Sequence, residues 1–174
     1  MRLWVVLGAL AMAAPAHAAS DFLSAFFPVY SQHSVGLYDT ARLAPYMAPE
    51  LQRDIAQAIR HEAVSIRETP LGDKPCLWEG DLFFGNYEAP NTYATSVGRF
   101  EGNTLLQPAT FTLSDGVEAP YRWPATLVIT GGKLEDVVYA NGATLRESLR
   151  NHCAHYIRFP PKVQTPPEIN LDGV

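Results

Sequence analysis

Between Asp73 and Pro90 the chain reads DKPCLWEGDLFFGNYEAP, which gathers four carboxylic acids, four aromatic rings and a cysteine within 18 positions. Carboxylates such as Asp73, Glu79, Asp81 and Glu88 do acid–base work or hold calcium through their oxygens. A calcium loop needs closely alternating Asp or Asn positions with a glycine, and that pattern is missing here. No metal is therefore expected, and these acids read first as solvated loop groups or turn caps. Asp81, next to Gly80 and in front of Leu82-Phe83-Phe84, is the leading candidate among them. Trp78, Phe83, Phe84 and Tyr87 are suited to line a pocket, which is mainly apolar with a few convergent polar groups. The expected ligand- or partner-binding set is Asp81, Trp78, Glu79, Phe83 and Tyr87. Packing of this loop on a core would employ the same rings.

The other reactive residue types point to structure. Cys76 and Cys153 are the only cysteines, and an even count in an exported chain reads as a disulfide. Closing so long a loop is worth roughly 4–5 kcal/mol in the chain-entropy model. A catalytic thiol at Cys76 would need a base, and its flanks carry no histidine. His152 and His155 read as surface groups, and His33 and His61 stand alone. G-x-S-x-G, H-E-x-x-H, G-x-x-x-x-G-K and G-x-G-x-x-G are all absent, so no catalytic residue is assigned and no cofactor is expected.

The ends say where the chain works. MRLWVVLGALAMAAPAHA combines a positive start at Arg2, an apolar run from Leu3 to Ala14 and small residues at Ala16 and Ala18. These are the three parts of a secretory signal peptide over residues 1–18, and the run is too short to span a bilayer. No cysteine adjoins the cleavage site to take a lipid anchor. The expected location is the periplasm, as a soluble protein. Without Arg2 the chain keeps 12 basic and 18 acidic residues, a net charge of −6 with no basic cluster. Nucleic acid is then a poor partner, and no membrane span is expected after the leader.

The elements that must position the loop come next. Ser20 or Asp21 is placed to cap a helix bearing Phe22, Leu23, Phe26, Phe27 and Tyr30, with Pro28 predicting a kink or break. Pro49 opens a second helix whose apolar positions Leu51, Ile55, Ile59 and Val64 recur at helical spacing. Glu68 to Asn91 has no periodicity and forms a long connection, with a turn or short strand at DLFFG. Beyond it, alternation predicts about four strands. They are TYATSVGRF with a bulge at Gly98, NTLLQPATFTL with Pro108 marking an edge or bulge, YRWPATLVIT, and KLEDVVYA after a Gly131-Gly132 hairpin. In the last strand Val137 and Tyr139 are expected opposite Leu134 and Val138. Thr144-Leu145-Arg146-Glu147 is a capping box for a closing helix that aligns Leu145, Leu149 and Cys153. Residues 19–158 form a single α+β domain, and 159–174 a proline-rich tail.

FFPVYSQHSVG, LAPYMAPELQRDIAQAI, DKPCLWEGDLFF and RWPATLVIT followed by KLEDVVYANGATLRESL resemble the bacterial exported family grouped as domain of unknown function 3828. Its closing strand often carries W-[KR]-I-D-D-I, and LEDVVYA departs from that by lacking the Trp. The order of elements is similar to the nuclear transport factor 2-like, or cystatin-like, cone. The resemblance implies helices packed on a curved antiparallel sheet and assigns no activity. The functional expectation is an exported, non-enzymatic binding or interaction protein, of the inhibitor or immunity type. It would recognise a small ligand or envelope protein through the cone mouth and the 73–90 loop. The alternative is a cavity isomerase, dehydratase or hydrolase using Asp81 as acid or base, helped by Tyr93 or Tyr121.

Overall fold

A computed structural model describes residues 16–32, 35–84, 89–114, 116 and 119–154. The leader to residue 15, the tail, and Tyr87, Glu88, His33 and His155 lie outside them. Helix α1 spans Ala16–Tyr30, a 3₁₀ helix Thr40–Tyr46, and α2 Pro49–Glu68. Strands β1 (Thr92–Thr95), β2 (Arg99–Glu101), β3 (Thr104–Leu113), β4 (Tyr121–Thr130) and β5 (Lys133–Tyr139) follow, then α3 (Leu145–Asn151). The class is α+β, with an antiparallel sheet of five strands where about four were expected. TYATSVGRF supplies two strands, both paired with β3.

That division has a visible cause. Thr95 faces Ala109 and Arg99 faces Leu106, so one extra residue separates the two ladders, a bulge at the expected place. Gly98 sits there because a Cβ would lie 2.8 Å from the Gln107 side chain and 3.1 Å from the Leu106 carbonyl. The buried Gln107 amide donates to the carbonyls of Ser96 (2.7 Å) and Pro108 (3.1 Å), and the Ser96 N–H also donates to the Pro108 carbonyl at 3.3 Å, so side chain and backbone together bridge the bulge. Pro108 is tolerated in this central strand because the side where its N–H is missing faces the interruption.

Alternation puts Leu105, Gln107, Ala109 and Phe111 of β3 and Ala125, Leu127 and Ile129 of β4 on the buried face. In β5 strict alternation fails. Ile129 faces Leu134 while Val128 faces Asp136, and this one-residue shift sets Leu134 and Val137 on the same buried side. The Gly131-Gly132 hairpin has φ of 58° and 74°, the left-handed pair that a two-residue turn needs.

The helices cover the buried face. α1 begins at Ala16, so Ser20 and Asp21 are interior to the helix and do not cap it. It also continues past Pro28 to Tyr30, because the residue sits in the last turn, where Phe26, Phe27 and Tyr30 are buried against the core. Phe27 lies 4.5 Å from Tyr93 and 6.2 Å from Phe111, centroid to centroid, and joins α1 to the sheet. α2 buries Leu51 and Ile55 as expected, leaves Ile59 and Val64 half-buried, and also buries Asp54, Ala58, Glu62 and Ser65. Asp54 binds Arg146 (2.7 Å) and Arg150 (3.1 Å), tying α2 to α3. Burial raises the Asp54 pKa, but the two arginine hydrogen bonds outweigh it and leave the carboxyl below its usual value. Thr144 caps α3 by accepting from the Glu147 N–H at 3.1 Å. The helix stops at Asn151, and Cys153 lies in the following turn with φ 53°. No described helix is long and apolar enough to cross a membrane.

Candidate functional site

β5 is shorter than β4, and this shapes the site. Ala125 is the last β4 residue paired with β5, opposite Tyr139, so Tyr121 to Pro124 project beyond it. Pro124 has no N–H to offer a further partner there. β5 then turns at Tyr139, whose carbonyl accepts from the Gly142 N–H at 2.9 Å. The notch left by the missing strand is walled by the loop over Trp78–Phe84 and by α3. A cavity of about 440 Å³ results, lined by Trp78, Leu82, Phe83, Phe84, Arg122, Trp123, Pro124, Tyr139, Ala140, Asn141 and Ser148. Its aromatic wall is continuous. Tyr121 stacks on Trp123 (6.3 Å), Trp123 on Phe84 (5.8 Å), and Phe84 contacts Phe111 of the core (4.8 Å).

The loop wall is held at two places. Asp81 is wholly buried and accepts from the Tyr30 hydroxyl (2.9 Å) and the backbone N–H groups of Val35 (3.0 Å), Phe83 (2.8 Å) and Phe84 (3.2 Å). The last two bonds are an Asp-led turn, in which a short carboxylate satisfies the amides that follow it. Leu82 N–H adds a bond to the Val35 carbonyl at 2.7 Å. Burial raises the Asp81 pKa above the usual carboxylate value, although all four hydrogen bonds oppose it. The same burial, with Asp81 beside it, pushes the Tyr30 phenol far above its ordinary range.

At the other end Cys76 and Cys153 form the expected disulfide, with an S–S distance of 2.09 Å. The Cys76 N–H donates to the Ser65 hydroxyl at 2.7 Å, and the Trp78 N–H donates to the buried Glu62 carboxylate. His152 Nε2 lies 2.9 Å from that carboxylate and 3.2 Å from Cys153 Sγ, and its ring meets Trp78 edge to face at 5.1 Å. Tyr38 also bonds Glu62, and that bond, helped by burial, pushes its pKa up to about 12. His152 therefore belongs to a buried pair and is not the surface histidine expected. His61 likewise has a partner, with Nδ1 2.9 Å from the His152 carbonyl. The two sulfurs are spent in the disulfide, so the nearby Cys76, His152 and Cys153 do not make a thiolate metal set.

Of the expected set, Trp78 and Phe83 line the cavity, and Phe84 joins them. Asp81 stands behind the wall and orders it without lining it. Glu79 points to solvent and pairs with Lys74, whose hydrogen bond holds its carboxyl below the usual range. Tyr93 packs on Phe27, and Tyr121 is an exposed ring on the stack. Sequence reasoning missed Arg122, Trp123, Tyr139, Asn141 and Ser148, because only the shortness of β5 brings them beside the loop. Burial also raises the Tyr139 phenol above its normal range, with Asp136 and Asp81 adding to the effect. A second hollow of about 410 Å³ lies over the sheet, lined by small groups such as Ala94, Pro108, Thr110, Pro124, Thr126 and Val138. Among the described residues its lining has no charged group and one aromatic, so it offers less to a ligand. No protein-family model, curated protein or solved structure matches this chain.

Proposed function

We propose that this is an exported binding protein that holds a small, flat, apolar-bodied ligand in the cavity between Trp78, Phe84, Trp123 and Tyr139. The observation that carries this reading is the aromatic wall itself, two of whose segments are fixed by the buried carboxylates Asp81 and Glu62. A wall so anchored loses little conformational freedom when it takes up a ligand, which favours recognition. The leader, the disulfide and the acidic composition support action in the periplasm. The succession of helices, antiparallel sheet and closing helix supports kinship with the exported cone-fold family that the sequence resembles. The enzyme alternative needs a carboxylate that meets substrate. Asp81 is occupied by four donors behind the wall and Glu79 faces solvent, so the geometry favours the binder.

The test is titration of the exported protein with N-phenyl-1-naphthylamine, a neutral flat probe, read by dye emission and quenching of tryptophan fluorescence. The wild type should bind one probe per chain, and Trp123→Ala should weaken it about tenfold or more, as expected for loss of an aromatic anchor. Saturable binding left unchanged by Trp123→Ala, or no binding, contradicts the reading.

A further inference from the structure

We infer that the ligand of this cavity is an amphipathic anion, with a flat apolar body on the aromatic wall and one carboxylate, sulfonate or phosphate held by Arg122. This rests on the pocket reading above and adds the ligand's charge.

Among the described residues Arg122 is the only charged residue that lines the cavity, and no Asp or Glu lines it. The other guanidinium groups of the described sheet and closing helix are spoken for. Arg99 pairs with Glu101, and Arg146 and Arg150 pair with Asp54. Arg122 makes no ion pair among the described residues, although the chain as a whole is acidic, with a formal charge of −5. The exposed guanidinium, next in sequence to Trp123, has no counter-charge among the described residues, and an anionic group on a ligand in the cavity supplies one. A neutral or cationic ligand brings none. A carboxylate or sulfonate matches the planar fork of donors with two parallel hydrogen bonds.

Two further features agree. The indole Nε1 of Trp78, in the same wall, is buried with no hydrogen-bond partner among the described residues, a donor left without an acceptor beside the cavity. Asp81 and Glu62, the buried acids behind the wall, each accept hydrogen bonds from its backbone, which offset their repulsion of an anion.

The experiment compares two probes that differ by one group. 8-Anilinonaphthalene-1-sulfonate carries a sulfonate on the same ring system as N-phenyl-1-naphthylamine. Both are titrated into the wild-type, Arg122→Gln and Arg122→Lys proteins, with circular dichroism confirming that these exposed-site variants fold. Arg122→Gln should weaken the sulfonate probe about tenfold and leave the neutral probe within about twofold, the size of one charge-assisted pair. Arg122→Lys should recover part of the loss, and added salt should weaken sulfonate binding in the wild type far more than in Arg122→Gln. If the neutral probe binds at the wall and Arg122→Gln leaves the sulfonate probe unchanged, the anion inference fails while the pocket reading stands. If neither probe binds, both fail.

Discussion

Asp81 and Glu62 each hold one end of the loop that walls the cavity, by different means. Asp81 shapes its own turn, where two of its donors, the Phe83 and Phe84 amides, lie two and three residues ahead of it, and ties that turn back to Tyr30 and Val35, 51 and 46 residues away. Glu62 works across the chain, joining Trp78, 16 residues away, to His152, 90 residues away, beside a disulfide of sequence separation 77. The local anchor shapes a turn, whereas the distant one fixes where that turn sits against α2 and α3. Pre-organising a ligand wall takes both, since a well-formed turn free to swing would still leave the cavity open to collapse.

Four variants break or sharpen this contrast. Asp81→Ala should have the largest effect, because it strands four buried donors at roughly 1–3 kcal/mol each. A loss of at least about 4 kcal/mol in denaturant unfolding is expected. Removing the disulfide in a Cys76→Ser, Cys153→Ala protein should cost about 4 kcal/mol by the chain-entropy argument. Hydrogen exchange should rise first at 76–78 in that protein and first at 81–84 in Asp81→Ala. Glu62→Gln keeps an acceptor for Trp78 but loses the charge facing His152, so about 1–2 kcal/mol is expected. Thr144→Ala touches neither anchor and should cost about 1 kcal/mol of cap energy with probe binding intact.

The pH dependence separates the buried acids further. Asp81 has a folded pKa raised above the ordinary aspartate value of 3.8, so its contribution to stability is full below that pH and is lost as pH rises through the raised value. Asp81→Asn removes this titration, and its stability deficit relative to wild type should narrow as pH rises above about 4. A deficit that widens with pH would contradict the raised pKa. Asp54 has the opposite sign, because its lowered pKa gives stability above 3.8 that disappears as pH falls through the folded value. Acid unfolding midpoints of Asp54→Asn against wild type check this, with the variant expected to lose its deficit at low pH.

What could be read from the sequence follows the same division between local and distant. The turn at Asp81, the Gly131-Gly132 hairpin, the Thr144 cap and the bulge at Gly98 each depend on residues a few positions apart, and all are where the local pattern puts them. The disulfide was legible for another reason, since two cysteines leave one pairing. The bulge in β5 was hidden because nothing in KLEDVVYA marks it with Gly or Pro, and strict alternation sent Leu134 and Val137 to opposite faces. Nothing in the helical period of α2 singles out Glu62. Its burial follows from the approach of His152 and the 76–78 segment, which no short window contains. Arg122 and Tyr139 escaped notice similarly, because a strand that ends early leaves no mark on the residues it exposes.

The central claim, that the aromatic wall receives the ligand, is tested most directly by the tryptophan indole signals. In a protein that starts at Ala19 and so lacks Trp4, Trp78 and Trp123 are the only tryptophans, and both line the cavity. In a ¹H–¹⁵N spectrum of that protein titrated with the naphthyl sulfonate probe, both indole resonances should shift together and saturate at one probe per chain. Unmoved indole resonances, with shifts gathered instead at Thr110 and Thr126 over the open sheet, would place the ligand elsewhere and contradict the account.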